Sequence, residues 1–182
     1  MTAPSSRSSS PVRLLLTGPP GCGKTTVVCR VLEQLAGWQI AGFYTRELRQ
    51  KGRRVGFEAV TPDGRRVLLA HRNSQSPRRV GRYGVELGRF ESLVADQLLR
   101  PSARVDLYLI DEIGKMECLS SQFVTAVRRV LASPVPLLAT VTQKGRGLIA
   151  EVKKASGVEL LQVTRQNRDA MPQQIVEMFR SR

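Results

Sequence analysis

Apolar residues along this chain fall into two alternating patterns. Short continuous runs read as strands buried on both faces, and stretches with apolar residues three and four apart read as helices. The first run is Val12 to Thr17. A Gly-rich turn follows, then Lys24 to Ala36, where Val27, Val28, Val31, Leu32 and Leu35 share a helical face and Gly37 supplies the stop. Gln39 to Thr45 reads as the second strand. Val55 to Val60 and Arg65 to Ala70 flank Thr61-Pro62-Asp63-Gly64, which is turn chemistry between paired strands. His71 to Arg79 is polar loop, and Val80 to Leu87 is a further candidate strand. Arg89 to Arg100 repeats the helical pattern, with Phe90, Leu93, Val94 and Leu98 on one side and Pro101 closing it.

The second half alternates more cleanly. Val105 to Ile110, Val135 to Thr142 and Val158 to Val163 read as strands. Ser121 to Leu131, Leu148 to Ala155 and Pro172 to Phe179 read as helices, the last with Pro in its first turn. Strands that alternate with helices predict an α/β fold with a mostly parallel sheet covered on both faces and right-handed crossovers. The hairpin near Val55 is a small antiparallel addition. With no internal repeat or long linker, residues 12–182 form a single domain. Residues 1–11 are a Ser- and Pro-rich tail with no apolar core, read as a disordered tail or a remnant, with organelle targeting as the alternative.

Composition changes this picture little. Apolar residues make up 41% and charged residues 24%, the balance of a water-soluble globular domain. No run of about eighteen apolar residues exists, so no membrane span is expected. The three cysteines, Cys22, Cys29 and Cys118, form no CxxC pair, which argues against disulfides or zinc and for a reducing, cytoplasmic setting. The net charge of +14 is concentrated between Arg46 and Arg104, where thirteen Arg and one Lys face four Glu and two Asp. That surplus is either a polyanion-binding surface, with nucleic acid as the candidate partner, or a set of solvated faces. Only 5% of residues are aromatic, so no nucleic-acid signature supports the first reading.

The chemistry is carried by two segments. Gly18-Pro19-Pro20-Gly21-Cys22-Gly23-Lys24-Thr25 satisfies G-x-x-x-x-G-K-[ST], between an apolar strand and an amphipathic helix. A phosphate chain needs backbone N–H groups converging from one side, and Gly18, Gly21 and Gly23 remove the Cβ atoms that would block them. The helix N-terminus points at the anion. Lys24 adds a positive charge for the β- and γ-phosphates, and Thr25 offers its hydroxyl to Mg²⁺. Cys22 is either a small filler of this loop or a reactive thiol. The second segment is Asp111-Glu112, at the end of the run Leu107-Tyr108-Leu109-Ile110. Ligands in parallel sheets sit at the carboxyl ends of strands, so Asp111 is expected to reach the same crevice and hold the metal. Glu112 beside it is placed to accept a proton from attacking water.

Asp111-Glu-Ile-Gly-Lys-Met-Glu117 is longer than a generic acidic strand end. It resembles the DEIGKME segment of the thermophilic-phosphohydrolase-type nucleoside-triphosphatase family, known in animals as cancer-related nucleoside-triphosphatases. Thr17 to Thr26, Gly42-Phe-Tyr-Thr45, Gly52 to Phe57, Arg79-Val-Gly-Arg-Tyr83 and Thr164-Arg-Gln-Asn-Arg168 resemble other segments of that family, in its order, and the likeness runs from Val12 to the C-terminus. The resemblance implies a three-layer, RecA-like P-loop fold, a monomer, and Mg²⁺-dependent hydrolysis of ATP, GTP and other triphosphates. It also implies nucleotide contacts at Gly18, Pro19, Pro20, Gly21, Cys22, Gly23, Lys24, Thr25 and Thr26. The second set is Leu107, Tyr108, Leu109, Ile110, Asp111, Glu112, Ile113 and Gly114. Arg46 stands where the family commonly has an acid, and the loop from His71 to Arg78 is short. Both departures are expected to bear on partner surfaces or regulation.

Other residues are weaker candidates. Arg82, Lys115 and Arg168 each offer a further cation for the γ-phosphoryl group, or a surface ion pair. Asn167 and Arg168 are alternatives for touching the base. Thr140 is either a γ-phosphate sensor or a satisfied strand-end hydroxyl. His71, in a polar loop, is not expected to be catalytic, and Trp38 is expected to close the first helix against the core. Glu112 and Lys24 are the expected catalytic pair, with Thr25 and Asp111 the metal ligands. Two rivals to hydrolysis remain open: a P-loop phosphotransferase acting on a small molecule or polynucleotide end, and a nucleotide-gated RNA-binding module.

Overall fold

The computed structural model describes residues 10–181; for residues 1–9 the expectation of a tail lies outside the described residues. Strand β1 (Arg13–Thr17) carries three consecutive leucines with no exposed surface. Leu14 and Leu16 enter one apolar cluster and Leu15 the other, as period-two geometry requires of a strand covered on both sides. The same division sorts the helices. Helices α1 (Lys24–Gln34) and α5 (Met171–Arg180) bury Val27, Val28, Val31, Ile175, Val176 and Phe179 on the Leu14 side. Helices α2 (Leu87–Val94), α3 (Ser121–Ala132) and α4 (Leu148–Val152) cover the Leu15 side. Helix layers therefore lie on both faces of the sheet.

The remaining strands are β2 (Ile40–Gln50), β3 (Arg53–Val60), β4 (Arg66–His71), β5 (Arg79–Val80), β6 (Tyr83–Val85), β7 (Leu107–Ile113), β8 (Leu137–Val141) and β9 (Val158–Gln162). They form one nine-stranded mixed sheet in the order β5-β6-β4-β3-β2-β7-β8-β1-β9. From β2 to β9 in that order all pairs are parallel; from β2 through β5 all are antiparallel.

The antiparallel part is larger than the single hairpin the sequence suggests. β2 does not stop at Thr45 but runs to Gln50 and turns back through Lys51 and Gly52, both with positive φ, into β3. Residues 46–50 are mostly exposed and mostly charged, so no apolar pattern marks them as strand. The candidate strand from Val80 to Leu87 is instead two short strands, β5 and β6, and Leu87 opens α2. The expected single helix from Arg89 to Arg100 is α2 followed by a π-helical turn, Ala95–Leu99. That turn carries Gln97, whose Oε1 accepts the Gly42 N–H at 3.0 Å. Local chemistry sets other boundaries: Ser120 caps α3 by accepting the Phe123 N–H at 3.0 Å, and Pro172 occupies the first turn of α5. Trp38 packs on Phe179 with ring centroids 6.5 Å apart, closing the α1 end as expected. Among the described residues no helix is long and apolar enough to cross a membrane.

Candidate functional site

Both chemical segments lie at the carboxyl ends of parallel strands, and the structure brings them into one cavity of about 520 Å³. The loop from Gly18 to Gly23 leaves β1 and enters α1 with no side-chain cap, so the first N–H groups of α1 stay available to an anion. Its backbone requires glycine. Gly23 has φ of 110°, and a Cβ there would lie 2.8 Å from Cδ of Arg168; at Gly18 a Cβ would meet the Val163 carbonyl oxygen at 2.5 Å. Lys24 Nζ donates to the Gly18 carbonyl at 3.2 Å and stands 3.5 Å from Glu112 Oε1.

Asp111 is buried and is met by three threonines. Its Oδ2 accepts from the Thr25 hydroxyl at 2.8 Å and from the Thr45 N–H and hydroxyl at 3.3 and 3.4 Å. Its Oδ1 accepts from Thr140 at 2.5 Å. Burial pushes its carboxyl above the usual range, against the pull of the Thr140, Thr25 and Thr45 bonds and of Lys24. A buried carboxylate served mainly by neutral hydroxyls, with a second hard oxygen at 2.8 Å, fits a small hard divalent cation. No cluster of three His, Cys, Asp or Glu occurs among the described residues. Magnesium does not need one, because it is commonly held by one or two carboxylates together with substrate phosphates.

Glu112 is half-buried at the cavity. Its carboxyl is raised by burial, pulled back by Lys24, and raised again by Asp111. Lys153 steadies the loop opposite, donating to the carbonyls of Thr142 and Gln143 at 2.5 and 2.7 Å.

Of the residues named from sequence, Pro20, Gly21, Gly23, Lys24, Thr25, Thr26, Asp111 and Glu112 line this cavity. Cys22 does not; it is buried in the Leu14 cluster, as a filler. Pro19 turns the loop, its carbonyl accepting the Cys22 N–H at 3.2 Å. Leu107, Tyr108, Leu109, Ile110 and Ile113 are not at the cavity either. They are the buried rungs of β7, split between the two apolar clusters, because a parallel central strand must bury both faces. Gly114 lies behind Glu112, where a Cβ would press on Glu117 Oε2 at 2.8 Å.

The weaker candidates separate. Arg168 lines the cavity. Arg82 does not: it lies over the Tyr83 ring, 5.3 Å from its centroid. Asn167 is held in its own turn by the Thr164 N–H at 2.8 Å and the Gln162 carbonyl at 2.8 Å. Thr140 is committed to Asp111. His71 lies at the end of β4, away from both motifs, accepting the Asn73 N–H. Sequence reasoning missed the outer wall, where Thr45, Arg46, Glu47, Arg54 and Phe57 stand on the β2–β3 ribbon. The β2–β7 register, Phe43 to Ile110, sets Thr45 beside the acidic pair, and nothing in the linear sequence signals that pairing. Arg46, expected to bear on partner surfaces or regulation, is on that wall.

A second cavity of about 530 Å³ surrounds Trp38 near the end of α1. Among the described residues its only charged ones are Glu33 and Asp63, and none of the phosphate loop lines it, so an anionic polyphosphate does not belong there.

Comparison with known proteins bears on nearly the whole chain. The family model described as NTPase matches residues 13–176. A nucleoside-triphosphatase THEP1 from Thermotoga sp. (strain RQ2) is 36% identical over 171 residues, 93% of this chain and 96% of that one. A cancer-related nucleoside-triphosphatase homolog from Mus musculus is 40% identical, over 92% of this chain and 96% of its own. The crystal structure of THEP1 from Aquifex aeolicus superposes with a TM-score of 0.83 at 32% identity, covering 92% of this chain and 99% of that one.

Proposed function

The chain belongs to the NTPase family, and on that premise we propose that it hydrolyses nucleoside 5′-triphosphates, ATP and GTP among them, to diphosphate and phosphate with Mg²⁺. The architecture is read as the three-layer, RecA-like P-loop fold. The all-parallel run β9-β1-β8-β7-β2, with both motifs at its carboxyl edge, supports that reading. The observation that carries the functional reading is the meeting of four groups in one cavity. Thr25 and Asp111 are in contact at 2.8 Å, and Lys24 stands 3.5 Å from Glu112.

The loop amides and Lys24 bind the phosphate chain and offset its charge. Thr25 and Asp111 would hold magnesium, which when bound neutralises charge on the β- and γ-phosphates. Thr45 and Thr140 fix the Asp111 carboxylate so that it does not rotate. Glu112 orients water and takes its proton during in-line attack on the γ-phosphorus. Its raised carboxyl makes it a better base than an ordinary surface glutamate. Arg168 and Arg46 add positive charge at the rim.

Glu112→Gln keeps the volume and removes the base. Titration with a fluorescent triphosphate is expected to show binding retained, while phosphate release falls by about 10²–10⁴-fold. Turnover at the parent rate would refute the assignment.

A further inference from the structure

Beside the phosphate cavity lies a smaller one of about 230 Å³, and Thr45, Phe57 and Glu112 line both. Apart from Phe57 its apolar walls are Leu69, Val80 and Met116, drawn from β4, β5 and the segment after β7. Hydrolysis gives this space no task. A water molecule takes about 30 Å³ of liquid, so the cavity is far larger than the nucleophile requires. Apolar walls also hold water poorly, and protein interiors otherwise leave few such voids.

The charges around it decide what it can hold. Glu112 and Lys115 both line this cavity, so their charges offset and an anion finds no surplus positive charge there. Lys24 already stands against Glu112, and Lys115 sits at this cavity, so an ammonium group finds its counter-charge taken. Glu117 is buried in the wall, and burial with the nearby Glu112 and Asp111 charges pushes its carboxyl up to about 8, so at neutral pH it is an uncharged hydrogen-bonding group. An uncharged, mainly apolar molecule fits these walls, and a hydroxyl on it would lie at the one boundary shared with the phosphate cavity, where Glu112 stands.

We infer that this smaller cavity is an acceptor site, which takes a small uncharged apolar alcohol and presents its hydroxyl to the γ-phosphoryl group in place of water. The inference rests on the triphosphate reading of the larger cavity. In the transfer the alcohol oxygen bonds to the γ-phosphorus, and the bond from that phosphorus to the β,γ-bridging oxygen breaks. The nucleoside diphosphate leaves with the electron pair, and the hydroxyl proton passes to the Glu112 carboxylate. The products are a phosphate monoester and nucleoside diphosphate; water in the same position gives free phosphate.

The test uses the full chain with methyl-¹³C methionine and two probes, 2-phenylethanol and 2-naphthylmethanol. Met116 lines the cavity, whereas Met171 and Met178 pack in the cluster on the opposite face and serve as controls. A saturable shift of the Met116 methyl signal, with the two controls unmoved, is the expected result. With Mg²⁺ and γ-labelled ATP, the labelled ester of the probe should appear while free phosphate release falls by an equal amount. Val80→Trp fills the cavity from β5. It should lose both the shift and the ester while keeping acceptor-free phosphate release within about twofold, which also reports that it is folded. An unmoved Met116 signal with both probes, a shift without ester, or ester formed equally by Val80→Trp would each overturn the inference. Failure of the hydrolysis reading shows separately, as absent phosphate release without any alcohol.

Discussion

The parallel half of the sheet and its antiparallel wing use the same strand geometry but are held by different forces. β1, β7 and β8 are buried on both faces and stand between two apolar clusters. The wing packs one face through Ala59, Leu69, Ala70 and Val85, and its ribbon is tied by ion pairs such as Arg46 to Glu58 at 2.5 Å and Arg54 to Glu47 at 2.6 Å. The chemical groups sit on the first kind of scaffold. The outer wall of the cavity, with Arg46, Arg54 and Phe57, sits on the second. Rigid burial fixes what the proposed site does to a phosphate; a half-solvated ribbon leaves room to vary what else it touches.

The largest effect should come from the proposed metal position on the rigid side. Chelation of Mg²⁺, or Asp111→Asn, removes a charge interaction worth several kcal/mol in the transition state. At about 1.4 kcal/mol per tenfold, phosphate release should fall on the order of a hundredfold or more. A colorimetric phosphate assay with and without chelator reads this directly, and metal-independent turnover would break the comparison at its centre.

Next in size is the packing that supports that side. Phe43 is fully buried on β2, meets Phe90 edge-on at 5.3 Å, and lies 6.1 Å from Phe123. Phe43→Ala should cost about 3–5 kcal/mol in urea denaturation, because the sheet and two helices cannot close over the void.

How much of this was legible in the chain follows the same division. The doubly buried strands announce themselves as apolar runs, so the parallel half and both chemical segments can be placed from residues alone. The wing could not be, because residues such as Arg46, Glu47, Arg49 and Gln50 pair their backbones while their side chains stay in water. Spatial neighbours were also hidden. Nothing in the linear order says that Thr45 and Thr140 converge on Asp111; only the strand order β2-β7-β8 does. The resemblance extended nucleotide contact to all of Leu107–Gly114; the structure buries most of that segment in the two apolar clusters and leaves Asp111 and Glu112 at the cavity.

Glu117 offers a test of comparable size, dependent on pH, at the junction of the two regions. Its folded carboxyl is raised from 4.5 to about 8, chiefly by burial. The native state therefore keeps a proton that the unfolded chain releases above about 4.5. Stability from this group is fully present below that pH, declines by at most about 1.4 kcal/mol per pH unit as pH rises towards 8, and is level above it. Glu117→Gln cannot ionise. The difference in unfolding free energy between the variant and the parent should widen in the variant's favour from pH 5 to pH 8; a constant difference would show that Glu117 titrates normally.

The smallest effect should come from the wing's ion pairs. Glu47 accepts from Arg49 and Arg54, each at 2.6 Å, yet its side chain is 37% exposed and those of its partners 59% and 42%. Pairs this wet are screened by water and salt and contribute about 0–1 kcal/mol. Glu47→Ala leaves two solvated arginines and no buried orphan, so its midpoint in urea should move by less than about 1 kcal/mol equivalent. The same change frees Arg54, which lines the phosphate cavity, so KM for the triphosphate should fall and become more sensitive to salt. A stability loss as large as that of Phe43→Ala would mean that the wing is held by its charges after all, and that the cavity's outer wall is as fixed as its floor.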